Sequence, residues 1–166
     1  RAEKEQPLPV GEGSDSGFWS GGALPLVNAQ AAPYHRHMEP ERLTVVVTAF
    51  NEAQTLPLLH PRIVAALDGL DGVEGRVLYV DDGSRDATWE VIQALAADDP
   101  RVGALSLSRN FGKELALTAG LDFVEDGAAM LLDADGQDPP ELIAQFVAHW
   151  RAGYDDIYGT RIARDG

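Results

Sequence analysis

From Leu43 onward, short runs of β-branched and aliphatic residues alternate with stretches of helical period, and this rhythm admits few folds. Leu43 to Thr48 reads Leu-Thr-Val-Val-Val-Thr, a continuous apolar run of the kind found in a strand covered on both faces. Leu56, Leu59, Ile63, Leu67 and Leu70 then recur at helical spacing. Pro57 suits a first helical turn, whereas Pro61 is expected to kink or delay that helix. Further strands are predicted at Arg76 to Val80, Val102 to Leu107, Ala128 to Leu132 and Asp156 to Gly159. Between them lie a helix carrying Trp89, Ile92 and Leu95 with Asp86 as N-cap, and a second from about Phe111 to Val124. A third begins at Asp138-Pro139-Pro140-Glu141, where an acid cap, an early proline and a following Glu mark a helix start. Its buried face is Leu142, Ile143, Phe146, Val147 and Trp150. Repeated βα units with short links define an α/β fold, a mostly parallel sheet flanked by helices.

Residues 1–42 read differently. Prolines 7, 9, 25, 33 and 40, with clustered Gly and Ser, break every period, so this stretch is expected to be a flexible tail ahead of a domain over 43–166. Tyr34-His35-Arg36-His37 offers two histidines without a third ligand nearby, too few for a metal site.

Charge narrows the partners. Asp and Glu number 27 against 13 Lys and Arg, a formal net charge of -14. Such a chain is a poor match for nucleic acid, whose phosphates call for Lys and Arg patches, and for electrostatic docking on an anionic membrane. It has no cysteine, hence no disulfide framework and no thiolate metal site. No window approaches the roughly 20 apolar residues of a membrane-spanning helix.

Two of the predicted strands empty into carboxylates: Val77-Leu78-Tyr79-Val80-Asp81-Asp82-Gly83-Ser84 and Met130-Leu131-Leu132-Asp133-Ala134-Asp135. The carboxyl ends of strands are where open α/β sheets bind ligands. Asp133 and Asp135, two apart on extended chain, face one site together. Crowded carboxylates repel unless a cation lies between them, and oxygen ligands of this kind suit Mg²⁺ or Mn²⁺ completed by a substrate's phosphates. Each acidic motif alone also reads as a plain turn or solvated loop. Their joint placement at strand ends of one sheet favours a metal-assisted site for a diphosphate compound. Asp138 already has work as a helix cap and is not counted as catalytic. A dinucleotide fingerprint is excluded, because Thr48-Ala49-Phe50-Asn51-Glu52 follows the first strand without a glycine, and no Walker loop occurs.

Four motifs in order, Thr48-Ala49-Phe50-Asn51-Glu52, Val80-Asp81-Asp82-Gly83-Ser84, Ser108-Arg109-Asn110-Phe111-Gly112-Lys113 and Leu132-Asp133-Ala134-Asp135-Gly136-Gln137-Asp138-Pro139-Pro140, resemble the family 2 glycosyltransferases. The resemblance is to the polyprenyl-phosphate sugar transferases, of the dolichyl-phosphate mannose synthase and bactoprenol glucosyltransferase kind, and runs from about Leu43 to the last residue. It implies a Rossmann-like GT-A fold, incomplete on its C-terminal side, a UDP- or GDP-sugar donor, and Mg²⁺ or Mn²⁺. It further implies that Thr48, Phe50 and Glu52 line the base and ribose pocket with Val80 and Asp82. Asp133, Ala134 and Asp135 would surround ribose and diphosphate, with Asp133, Asp135 and the Gln137 amide oxygen on the metal. Arg161 would reach toward phosphate with its planar fork, and Lys113 would be a second phosphate contact or simply an exposed cation. Asp133, Asp135 and Arg161 form the implied catalytic set. An inverting transfer to polyprenyl phosphate needs no strong base, since that acceptor oxygen is already ionised, and none is assigned. Relatives often carry proline at the place of Thr48 and a bulkier residue at that of Gly136. They also continue past the equivalent of Gly166, so acceptor-side residues and any membrane association are expected in segments beyond this chain, with a cytoplasmic location. The alternatives are a nucleotide-sugar-binding module without turnover, and a sugar nucleotidylyltransferase. The latter would open with a Gly-rich, Arg-containing loop where this chain has Phe50-Asn51-Glu52.

Overall fold

The computed structural model describes residues 26–31, as backbone, and 41–160. Its elements in chain order are β1 (Leu26–Ala31), β2 (Glu41–Ala49), α1 (Leu56–Asp68), β3 (Val73–Asp81), α2 (Thr88–Asp98), β4 (Val102–Ser106), α3 (Lys113–Leu121), β5 (Ala128–Asp133), a 3-10 turn (Pro140–Leu142), α4 (Ile143–Arg151) and β6 (Tyr154–Thr160). Four strands form a parallel sheet in the order β4-β3-β2-β5. The chain therefore steps outward from β2 through β3 to β4, then crosses back to place β5 on β2's other side. The point where strand order reverses, between β2 and β5, is where open α/β sheets leave a crevice at their carboxyl edge.

The period-2 alternation of β2 divides the core. Leu43, Val45, Val47 and Ala49 belong to the larger cluster, with Leu56, Leu59, Ile63 and Leu67 of α1, Ile92 of α2, and Ile143 and Val147 of α4. Val46 turns the other way and meets Val80 of β3 and Ala116 of α3. Three helices thus cover one face, and α3 lies on the other at very close range. A Cβ on Gly120 would come within 2.5 Å of Val46 Cγ1 and 3.0 Å of Val80 Cγ2.

Helix α1 runs through Pro61 without interruption, contrary to the sequence expectation. Pro61 costs roughly 3 kcal/mol in a helix interior. Here the carbonyl it deprives is that of Pro57 in the first turn, and four buried Leu and Ile side chains, each worth roughly 1.5–3 kcal/mol, outweigh that loss. Asp86 does serve the start of α2, one residue further out than a standard cap: its Oδ1 accepts Thr88 N–H (3.0 Å) and Thr88 Oγ1–H (2.5 Å). The cap predicted for Asp138 is not formed. Pro139, extended at ψ 120°, intervenes, and the turn begins without a side-chain cap. Glu141 instead forms a bidentate pair with Arg62 of α1, at 2.9 and 2.8 Å.

Two expectations about the chain's ends require correction. Within the stretch read as a uniform flexible tail, Leu26–Ala31 is a strand, in a segment between Pro25 and Pro33 that contains neither proline nor glycine. The strand predicted near Asp156 does not join the parallel sheet; β6 pairs antiparallel with β1 in a separate two-stranded sheet. With Asp155 and Asp156 and mostly exposed positions, β6 lacks the continuous apolar run that burial on both faces demands. The Tyr34 to His37 segment lies outside the described residues.

One buried polar contact links α1 to the sheet. His60 Nδ1 lies 3.0 Å from the hydroxyl of Tyr79, which is fully buried. Burial lowers the His60 pKa from its ordinary 6.5, with Asp99 opposing and Arg101 assisting. The folded state therefore binds fewer protons than the unfolded chain just below pH 6.5, and this contribution to stability is lost as pH falls through the depressed value. His60→Gln is expected to flatten that part of the curve in urea unfolding between pH 7 and 5. Gly120→Ala should lower stability by about 1–2 kcal/mol, because overpacking against stiff Val46 exceeds the helix-propensity gain. A raised unfolding midpoint would show that α3 can back away from the sheet.

Candidate functional site

Strand register brings the motif residues to one edge. Thr48 pairs with Asp133 on one side and with Val80 on the other, while Ala49 pairs with Asp81 and Asp81 with Ser106. Backbone bonds carry this alignment past the strand ends: Asp82 N–H donates to Ala49 O (2.9 Å), Leu107 N–H to Asp81 O (2.9 Å) and Ala134 N–H to Thr48 O (3.2 Å). Four consecutive βα connections consequently open onto the same crevice.

Two aspartates lock these connections to one another. Asp81, 3% exposed, accepts Ser84 N–H at Oδ1 (3.0 Å) and Ser106 O–H at Oδ2 (3.1 Å), closing the turn after β3 against β4. Asp82, also 3% exposed, accepts Phe111 N–H at Oδ1 (2.7 Å) and Gly112 N–H at Oδ2 (2.9 Å). Gly83 lets these loops touch: at φ +66°, its missing Cβ would fall 2.3 Å from the backbone carbon of Arg109. The loop after β2 is tied in by Asn51, at φ 59°, whose N–H donates to Ser84 Oγ (2.9 Å) and whose Oδ1 accepts Arg85 N–H (2.8 Å). Glu52 N–H donates to Thr88 Oγ1 (2.7 Å), and the Glu52 carboxylate accepts the Thr55 hydroxyl (2.7 Å).

The result is a cavity of about 290 Å³ bordered by Thr48, Ala49, Phe50, Glu52, Asp82, Asn110, Gly112, Lys113, Asp133, Ala134 and Asp135. Of the residues singled out in the sequence, Thr48, Phe50, Glu52, Asp82, Lys113, Asp133, Ala134 and Asp135 are brought together there. Val80 is not: its side chain is fully buried beneath α3 with Val46 and Ala116. Gln137 is exposed beside the cavity's rim residue Asp135, its N–H donating to Asp135 Oδ1 (2.8 Å). Arg161 lies outside the described residues. Ala49 joins the lining too, as do Asn110 and Gly112, none of which was given a role in the sequence. The signal for Asn110 and Gly112 was the glycine after Asn-Phe, which the turn into α3 uses at φ +95°.

The cavity's charge is carried by acids and one ammonium. Lys113 Nζ lies 2.5 Å from Asp133 Oδ2. That hydrogen bond, with the charges of Asp133, Asp138 and Asp135, raises the Lys113 pKa above its ordinary value. Asp133 and Asp135 supply hard carboxylate oxygens of the kind that suit Mg²⁺ or Mn²⁺, and this corner already draws a cation to itself. Among the described residues, no group of three or more His, Cys, Asp or Glu is gathered for a metal. The protein's share of such a site would therefore be small, as is usual where substrate phosphates complete the shell. Among the described residues, no helix is long and apolar enough to cross a membrane.

An open parallel sheet with its loops closed around an acid-lined crevice at the switch point is a Rossmann-like arrangement, and solved structures place it in the GT-A fold class. A mannosyltransferase from Pyrobaculum calidifontis, solved with GDP-Man and Mn²⁺, superposes with a TM-score of 0.54 at 24% identity, over 69% of this chain and 33% of that one. The family profile described as glycosyl transferase family 2 matches residues 44–166, and the chain belongs to that family. A bactoprenol glucosyl transferase of Shigella phage SfX is 41% identical over 123 residues, covering 74% of this chain and 40% of the relative. An uncharacterized glycosyltransferase of Synechocystis is 40% identical over 124 residues, covering 75% and 39%. The chain thus spans about two fifths of the length of these curated relatives.

If Asp82 is the clamp between these loops, Asp82→Asn should destabilise by roughly 1.5–3 kcal/mol, the scale of a hydrogen bond to a charged group. Hydrogen exchange at the Phe111 and Gly112 amides should accelerate more than exchange in α1. Gly83→Ala should have the same signature, since it forces the Arg109 backbone away. Uniform acceleration across the chain would mean that the clamp has no local role.

Proposed function

We propose that this chain is the donor-binding part of a glycosyltransferase, and that the crevice takes a UDP- or GDP-sugar together with Mg²⁺ or Mn²⁺. One observation carries the reading: Thr48, Phe50, Glu52, Asp82, Lys113, Asp133, Ala134 and Asp135 border a single cavity at the switch point of a family 2 sheet. At about 290 Å³ the cavity lies near the lower end of small-molecule sites, so a nucleotide would be partly covered and its sugar left toward the open side.

Each side chain then has a task. Phe50, 39% exposed, offers a ring face to a base, and Glu52 and Asp82 offer acceptors for base or ribose donors. Both Asp82 oxygens already serve the loop amides, so the lone pairs that remain are held in a fixed direction. Asp133 and Asp135 would hold the cation with the Gln137 amide oxygen. When bound, the metal supplies Lewis-acid stabilisation of charge on the departing diphosphate. Lys113 and Arg161 would add positive charge on the phosphates. Val80 contributes packing beneath the site rather than a ligand contact. The acceptor is proposed to be a polyprenyl phosphate, a reading supported by the bactoprenol glucosyl transferase relatives, with inversion at the anomeric carbon. Membrane association at the cytoplasmic face is part of the same proposal.

A second reading is binding without turnover: the lining residues given a task here all act on the donor, and none is assigned to an acceptor. Calorimetry with UDP and GDP in Mn²⁺ tests what the two readings share, and release of labelled sugar from UDP- or GDP-sugars separates them. Asp135→Asn should weaken Mn²⁺-dependent nucleotide binding at least tenfold, about 1.4 kcal/mol. Because Asp135 is exposed, its unfolding free energy should stay within about 0.5 kcal/mol of wild type. Unchanged nucleotide affinity would remove Asp135 from the metal.

A further inference from the structure

Lys113 occupies a revealing position. It is the first residue of α3, immediately after Gly112, whose N–H is pinned by Asp82. Its ammonium therefore enters the crevice from the β4 side and meets Asp133, which arrives from the end of β5. The two side chains are 56% and 26% exposed, so neither is buried in place and the pair can open without disturbing the core. An ammonium held on Asp133 Oδ2 opposes a divalent cation on the same carboxylate, because the two positive charges repel across it.

We propose that Lys113 is a built-in counter-cation, which occupies Asp133 until a diphosphate arrives and then transfers to the phosphate oxygens, leaving Asp133 to the metal. The inference rests on the donor-site reading and deepens it by fixing the order of events. Metal alone must either displace Lys113 into solvent or bind against its charge. Metal arriving with a diphosphate finds Lys113 a new anionic partner a short side-chain swing away. Nucleotide and metal therefore strengthen each other's binding through Lys113 as well as through their own bond, and by linkage the strengthening is reciprocal. The exchange moves an ammonium from one anion to another, with no proton transferred and no covalent bond made.

The test is Mn²⁺ binding to the 166-residue chain, by calorimetry and by water-proton relaxation, with and without UDP or GDP. Lys113→Met keeps the apolar stem and removes the charge. It should bind Mn²⁺ alone at least about fivefold more tightly than wild type, while the factor by which UDP or GDP tightens Mn²⁺ binding falls at least fivefold. Lys113→Arg should stay near wild type in both respects. Arg109→Met removes the same charge from a residue that stacks on Phe111 at 4.4 Å rather than pairing with Asp133, and should shift Mn²⁺ affinity less than twofold. Equal gains in Lys113→Met and Arg109→Met would reduce the effect to the general field and overturn the proposal. Mn²⁺ affinity unchanged or weakened in Lys113→Met, with nucleotide still bound, would also overturn it and leave the donor site standing. Mn²⁺ bound by neither protein, with or without nucleotide, would defeat both the inference and the metal-assisted donor reading.

Discussion

The site depends on one carboxylate that shapes the crevice before any ligand arrives. Asp82, the first residue past β3, is buried and spends both oxygens on consecutive amides of the loop that leads into α3. A buried charge of this kind is tolerable only when hydrogen-bonded, so the loop is held as firmly as the carboxylate is trapped. Because Gly83 removes the atom that would separate the two backbones, the clamp closes to contact. This closure sets the direction of Lys113, the shape of the crevice wall at Asn110 and Gly112, and the facing of that wall toward Asp133.

This arrangement divides labour among residues that look alike in the sequence. Of four aspartates at strand ends, Asp81 and Asp82 fasten loops, while Asp133 and Asp135 remain available at the crevice. Burial makes the difference: the first two are almost entirely covered, and the second two are partly or fully open. The cost of burying charge is offset by backbone amides at one pair, while exposure and a neighbouring ammonium meet it at the other. Asp81 thereby serves the fold alone, Asp82 joins loop closure to the crevice wall, and Asp133 and Asp135 are left to binding.

Much of the fold was legible because its signals are local and mutually consistent. The Leu43 to Thr48 run, the helical spacing from Leu56 to Leu67 and the acids after β3 and β5 each pointed to the observed element. Where sequence signals misled, the deciding quantity lay elsewhere in space. Pro61 was judged by its own cost, whereas the helix around it is settled by four side chains buried against the sheet. Asp138 had every local mark of a cap, but Pro139 directs the chain away and Arg62 recruits Glu141. Val80 lies two residues before Asp82 and on the same side of the sheet, but one step deeper along β3, where α3 covers it.

By itself the sequence determined the class of fold and the edge at which chemistry gathers, because period and strand-terminal acids are properties of short segments. It also determined the family, through four motifs whose residues are all local. Tertiary structure decided which acid faces which partner: Asp82 its loop amides, Asp133 its lysine. It also decided that β6 pairs with β1 outside the parallel sheet. Those outcomes depend on distances between segments tens of residues apart, and such distances exist only once strand order and register have been set.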